Sequence, residues 1–144
     1  ATRRKGGKVN FVLNNIWLVL AAAVSGAVLG WPLVNRRLSG VPEVGALQAV
    51  QLLNRSDALI IDVREPAEFS AGHAPNARNI PLAQFDKRIG ELEKFKNRPA
   101  VVVCQTGSRA HAATALLKKA GFAQVVVLAG GIAAWQQANM PIEK

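Results

Sequence analysis

Ala100-Val101-Val102-Val103-Cys104-Gln105-Thr106-Gly107-Ser108-Arg109 is the stretch that decides how this chain is read. Four apolar residues, three of them β-branched, have the look of a strand buried on both faces, as in a parallel sheet. The run ends at the only cysteine of the chain. Ser108 to Ala120 then reads as a helix, with Gly121 placed as its C′ residue. Cys104 therefore stands at a strand–loop–helix junction, and Gly107 supplies the freedom that a tight loop needs. In an open α/β sheet, ligands bind beyond the carboxyl ends of the strands. Backbone N–H groups converge there, and the helix N-terminus adds positive potential. A thiolate at such a point is stabilised, so more of it is nucleophilic at neutral pH. Arg109 adds a permanent cation and a planar donor fork suited to an oxyanion. Nucleophile, amide nest and arginine describe a site that attacks an anionic substrate. A lone cysteine at a strand end is also a common core filler; the Cys-x-x-Gly-x-Arg spacing is what argues for chemistry.

Outward from this junction, Ala58 to Val63 and Val125 to Leu128 are two more short buried strands. Val44 to Leu53 reads as an amphipathic helix, with Leu47, Val50 and Leu53 at helical spacing. Glu65 to Ser70 can make one or two helical turns, and Arg78 to Ile80 a short strand. Leu82 to Phe95 is helical in pattern, with Phe85, Ile89, Leu92 and Phe95 on one side. Gly130-Gly131 turns the chain into a last helix containing Trp135. Strands alternating with helices imply an α/β fold, a mostly parallel sheet covered by helices on both faces.

The chain of 144 residues has room for one compact domain and an appendage. Its net charge is +9, but the excess is uneven. Arg3, Arg4, Lys5, Lys8, Arg36 and Arg37 stand in the first 40 residues with no acid among them. This clustering around one apolar run is a membrane pattern, not the basic face of a nucleic-acid binder. The 27 residues between Lys8 and Arg36 carry no charge, enough to cross the hydrocarbon layer. Trp17 and Trp31 sit near the ends of the run, and Pro32 near its exit. A signal peptide is the rival, with Val24-Ser25-Gly26 as a weak cleavage site, but the apolar sequence continues beyond it. The expected organisation is a basic tail (1–10), a transmembrane helix (11–34), a linker (35–43) and a folded domain (44–144). Ala22, Gly26 and Gly30 fall on one helix face and fit self-association, although small residues are common in such helices. Four basic residues before the span put the domain outside the cytoplasm. If translation starts near Val9, Arg36 and Arg37 hold it inside. One cysteine allows no internal disulfide and no cysteine-based metal site.

Several segments in order resemble the rhodanese family. Asp62-Val63-Arg64-Glu65-Pro66-Ala67-Glu68-Phe69 is similar to its D-V-R-x-x-x-E-[FY] motif. Gly72-His73-Ala74-Pro75-Asn76-Ala77-Arg78-Asn79-Ile80-Pro81 is similar to its G-H-I-x-G-A-x-N-I-P motif. Cys104 to Arg109 fits the C-x-x-G-x-R active loop, and Leu128-Ala129-Gly130-Gly131 with Trp135 fits the closing segment. The layout also resembles membrane-anchored single-domain rhodanese-like proteins of proteobacteria, which implies an inner-membrane location with the domain cytoplasmic or periplasmic. The resemblance implies a sulfurtransferase. Cys104 would take sulfur from thiosulfate or another sulfane-sulfur donor, become a persulfide, and pass the sulfur to a thiol or protein acceptor, or to cyanide in an assay. Gln105, Thr106, Gly107, Ser108 and Arg109 would hold the persulfide and the departing anion. Asp62 and Arg64 would order the surrounding loops. No metal or organic cofactor is implied. Four residues between cysteine and arginine are the sulfurtransferase length; related phosphatases carry one more.

Ala74 and Asn76 depart from the family pattern, and asparagine tolerates the left-handed backbone a glycine would use there. His73 reads as a structural turn residue, His111 as surface and Trp135 as core. A second class of function stays open, a membrane-anchored module of the same fold that binds a partner protein.

Overall fold

The computed structural model describes residues 6–38 and 40–144. Residues 1–5 of the expected tail and Ser39 of the expected linker lie outside them. The chain divides into two units, Ala1–Gly40 and Val41–Lys144.

The first unit holds α1 (Gly6–Asn14) and α2 (Ile16–Leu38). They part at Asn15, whose side-chain amide donates to the Phe11 carbonyl at 2.9 Å. Such local bonding is how asparagine interrupts helices. Ile16–Val34 is 19 residues long and apolar enough to cross a membrane. Its large side chains are open, with Trp17 and Trp31 each 68% exposed. The helix runs through Pro32 to Leu38. Proline removes only one helical hydrogen bond, and arginine and leucine beyond it are good helix formers.

The second unit is built on five parallel strands: β1 (Glu43–Val44), β2 (Leu59–Asp62), β3 (Arg78–Asn79), β4 (Ala100–Val103) and β5 (Val125–Leu128). Their order is β1-β5-β4-β2-β3. Strand β4, which leads into Cys104, is central, with Ile61 opposite Val102 and Val102 opposite Val127. Alternation along each strand feeds two cores. Leu59, Ile61, Val102, Cys104 and Val127 face one side, where they meet Phe85, Leu92 and Leu117. Ile60, Val101, Val103, Val126 and Leu128 face the other, against Ala49, Ile132 and Trp135. The helices are α3 (Ala46–Ser56), α4 (Pro66–Ala71), α5 (Phe85–Arg88), α6 (Ser108–Lys119) and α7 (Gly131–Gln137). Helix α6 ends as expected: Gly121 takes φ 98°, and the Phe122 N–H reaches the Leu117 carbonyl at 3.2 Å.

Two local expectations are corrected. Val44 belongs to a strand rather than to the following helix. A two-residue strand has no periodicity to detect, and its place comes from pairing with β5. Leu82–Phe95 is mostly 3₁₀ helix around the short α5. Gly90 lies within it and weakens the α-helical preference. The expected inward side is kept: Phe85 and Leu92 are buried, with Ile89 and Phe95 packed against the same core.

Candidate active site

Cys104 follows β4 and is only 1% exposed. Its Sγ accepts the Gly107 N–H at 2.7 Å. Gly107 is the N-cap of α6 and takes φ 106°, a conformation that disfavours any side chain. The loop thus folds back so that an amide from the head of a 12-residue helix points at the sulfur. A sulfur bearing negative charge would be stabilised there by the amide and by the helix terminus. Gln105, Thr106 and Ser108 are exposed around it, Gly107 is buried and Arg109 is half-buried.

The far wall of the loop comes from Gly130-Gly131 and α7. The Ile132 N–H donates to the Cys104 carbonyl at 2.8 Å, and the Ala133 N–H to the Gln105 carbonyl at 3.4 Å. Gly131 has φ 61°, and a Cβ there would sit 2.6 Å from the Gln105 carbonyl carbon and oxygen and closer still to the Cys104 carbonyl oxygen. Backbone meets backbone at this point, so nothing can rotate aside. Gly131→Ala is therefore expected to lose about 2–4 kcal/mol, read as a lower urea midpoint of the Val41–Lys144 unit. An unchanged midpoint would mean that the two loops are not packed in this way.

Asp62 and Arg64 meet beneath the loop, and both are buried. Arg64 Nη2 donates to Asp62 Oδ2 at 2.7 Å and to the Gly72 carbonyl at 2.8 Å, and Nε donates to Asp62 Oδ1 at 3.0 Å. Arg64 Nη1 reaches the side-chain oxygen of Gln105 at 3.5 Å. One buried pair thus ties β2 to the turn at Gly72 and to the cysteine loop. Asn79 was not singled out from the sequence as a site residue. Its side-chain amide donates to the carbonyls of Asp62 at 3.1 Å and Arg64 at 2.9 Å, clamping this backbone from β3. Its only sequence signal is its place in the second motif.

Arg109 was expected to offer its fork to a substrate. Its Nη1 and Nη2 both donate to the Glu68 carboxylate, at 2.9 and 2.8 Å. Glu68 also accepts the Glu65 N–H at 2.9 Å. The hydrogen-bonded Arg109 guanidinium is the main reason the Glu68 carboxyl is lowered to about 2, and Glu68 in turn raises Arg109. Both stay charged at any working pH. A cleft of about 260 Å³ is lined by Arg64, Glu68, Ala71, Gly72, Gln105, Ile132 and Gln136. A larger hollow of about 460 Å³ lies beside Trp135 and Arg98 and is lined by none of the expected site residues.

Outside the site, Asn76 adopts φ 59°, as its place in the motif requires. His73 stacks on Phe69 with ring centroids 3.7 Å apart, a structural role. His111 is not a free surface residue: its Nε2 is 2.8 Å from a Glu43 carboxylate oxygen, tying α6 to β1.

A parallel sheet with a lone cysteine cradled beyond its central strand defines the class. The rhodanese-like domain family matches residues 46–138, and the chain belongs to that family. It is 33% identical over 132 residues to the uncharacterized protein YibN of Escherichia coli strain K12, covering 91% of this chain and 89% of that protein. That match is longer than Val41–Lys144, so it extends into the N-terminal helices. A sulfurtransferase of Allochromatium vinosum is 36% identical over 92 residues, or 64% of this chain and 84% of the relative. Among solved structures, a rhodanese-related protein of Thermoplasma volcanium superposes with a TM-score of 0.64 at 27% identity, covering 71% of this chain and 97% of that one.

Proposed function

We propose that this protein is a sulfurtransferase, held at a membrane by a single N-terminal helix, that carries sulfane sulfur as a persulfide on Cys104. The observation that supports it best is the Gly107 N–H on Cys104 Sγ at 2.7 Å, at the head of α6. The amide thus points at the atom that would form and later break the bond to the transferred sulfur. The family and a relative named as a sulfurtransferase point to sulfur transfer in general.

In the first half-reaction the Cys104 thiolate attacks the outer sulfur of the donor. The donor S–S bond breaks, and its electron pair leaves with sulfite from thiosulfate, or with a thiolate from a persulfide. The new S–S bond leaves Cys104 as a persulfide. In the second, a thiolate or cyanide attacks the terminal sulfur and the Cys104 thiolate is released. Oxidation states balance without any outside oxidant, and the two displacements give ping-pong kinetics. The amides between Gln105 and Arg109 hold the anionic terminal sulfur. Asp62 and Arg64 keep the loop in place.

The organisation that goes with this reading is a membrane span over residues 11–34, a connector over 35–43 and the rhodanese-like unit over 44–144. The exposed apolar surface of Ile16–Val34 supports the anchor.

Intact mass of the Val41–Lys144 unit tests the chemistry. Incubation with thiosulfate or a small persulfide is expected to add one sulfur atom, about 32 Da, which cyanide or dithiothreitol removes. A folded sample that gains no sulfur from any donor would favour a membrane-anchored interaction module instead.

A further inference from the structure

The loops that lead into the three longer strands carry an uneven share of the charge. Residues 54–58 precede β2, 93–99 precede β4 and 118–124 precede β5. They hold six cations, Arg55, Lys94, Lys96, Arg98, Lys118 and Lys119, and two acids, Asp57 and Glu93. The rest of the Val41–Lys144 unit holds six lysines and arginines against seven acids, so its whole positive surplus lies in these loops. Because the strands are parallel, all three loops stand at one end of the sheet, the amino end. Backbone bonds close them on one another: the Leu59 N–H donates to the Pro99 carbonyl at 2.7 Å, and the Ala100 N–H to the Gln124 carbonyl at 2.9 Å. Arg98 pairs with Asp57 at 3.0 Å, and Lys96 pairs with Glu93. Arg55, Lys94, Lys118 and Lys119 are exposed, and among the described residues they have no carboxylate partner. Lys94 lies 5.1 Å from the Phe95 ring centroid, beside Arg78 at 4.6 Å and Arg98 at 5.2 Å. A ring face attracts cations without neutralising them.

The chain enters the unit at this same end. Strand β1 runs parallel to β5 with Glu43 opposite Val127, which sets Val41 level with the start of β5. The Pro42 carbonyl accepts the Val127 N–H at 3.0 Å, and Val41 packs on the core. Six residues, 35–40, join Val41 to the end of the apolar span at Val34, and Arg36 and Arg37 are among them. Such a tether reaches at most about 25 Å. The cysteine loop follows β4 at the opposite, carboxyl end of the sheet. Resting on the membrane-anchor reading, we infer that the basic amino end of the sheet docks on anionic phospholipid headgroups and turns the Cys104 loop to the water. Each lysine or arginine near an anionic bilayer adds attraction that fades within a Debye length. A short tether holds the loops at high effective concentration beside that surface, so weak single attractions act together. Docked in this way, the unit keeps Cys104 open to donors and acceptors arriving from solution.

Fluorescence quenching of the full chain in vesicles tests this. The vesicles are phosphatidylcholine with about 30% phosphatidylglycerol and carry a quencher on the headgroups. In a Cys104→Ser background a fluorophore is attached at Asn97→Cys, within the basic loops, or at Ala83→Cys; both positions are exposed. Ala83 marks the carboxyl end, where the neighbouring Leu82 N–H donates to the Val63 carbonyl at 3.1 Å. Quenching at position 97 is expected to exceed that at 83 by at least about threefold. The contrast should fall by at least about half in pure phosphatidylcholine, in about 0.5 M salt, and in Lys96→Glu/Lys118→Glu/Lys119→Glu. The lipid and salt arms decide the matter even where the triple variant fails to fold. Equal quenching at the two positions overturns the inference. So does a contrast that neither lipid charge nor salt alters, which the tether alone would produce. Binding of a short RNA duplex, with no contrast in the charged vesicles, would assign the face to nucleic acid and also overturn it. Release of the chain by alkaline carbonate would be a failure of the anchor reading instead. Sedimentation of the released chain with the charged vesicles would then support the docking face if the triple variant abolished it, and overturn it if the variant sedimented equally.

Discussion

Cys104→Ser is expected to leave the fold intact and to lower sulfur transfer by at least about a thousandfold. The residue is buried and its sulfur has one N–H partner, from Gly107. A serine hydroxyl can accept that same N–H, so no buried donor is orphaned. The chemistry has no such substitute. A serine hydroxyl is not ionised at neutral pH and cannot hold sulfane sulfur as a persulfide. Rate of thiocyanate formation, beside a urea midpoint for each form, separates the two effects. A variant that still transfers sulfur would place the nucleophile elsewhere. One that transfers none because it has unfolded would show a collapsed midpoint.

The second large effect is on stability. Asp62→Asn is expected to cost the Val41–Lys144 unit about 3–5 kcal/mol, the range for removing one partner of a buried ion pair. Arg64 is only 3% exposed, and Asp62 is the one carboxylate bound to it. Asparagine preserves the shape and one acceptor oxygen but leaves the guanidinium charge without its counter-ion. The defect would spread, because Arg64 also binds the Gly72 carbonyl and reaches Gln105. Adding Arg64→Met to Asp62→Asn should recover part of the loss, since the uncompensated charge is then gone. An Asp62→Asn protein as stable as the parent, by urea unfolding, would mean that the pair contributes no net stability.

How far this molecule could be read without coordinates varies with the kind of order involved. Val101-Val102-Val103, Leu59-Ile60-Ile61 and Val125-Val126-Val127 are runs whose composition already implies strands covered on both faces. The buried alternation on the two sides of the sheet follows from that. Helix α6 and its Gly121 terminus were equally local in origin. By contrast, Glu43–Val44 becomes a strand only because β5 lies alongside. Leu82–Phe95 tightens into 3₁₀ turns although its apolar spacing also suits an α-helix.

The same division runs through the site. Cys104, Gly107 and Arg109 lie within six consecutive residues, so their closeness is a matter of short-range chain geometry that the sequence by itself determined, together with the parallel α/β class and the apolar span at Ile16–Val34. What Arg109 does could not be read that way. Its partner Glu68 is 41 residues distant along the chain, and the two meet only because α4 and α6 both start at the carboxyl end of the sheet. Gly131 likewise touches the cysteine loop from 27 positions beyond Cys104, and Asn79 holds Asp62 and Arg64 from the edge strand. Tertiary structure decided these contacts, because residues remote in sequence are brought into contact by the order of the strands. Local spacing carries no record of that order.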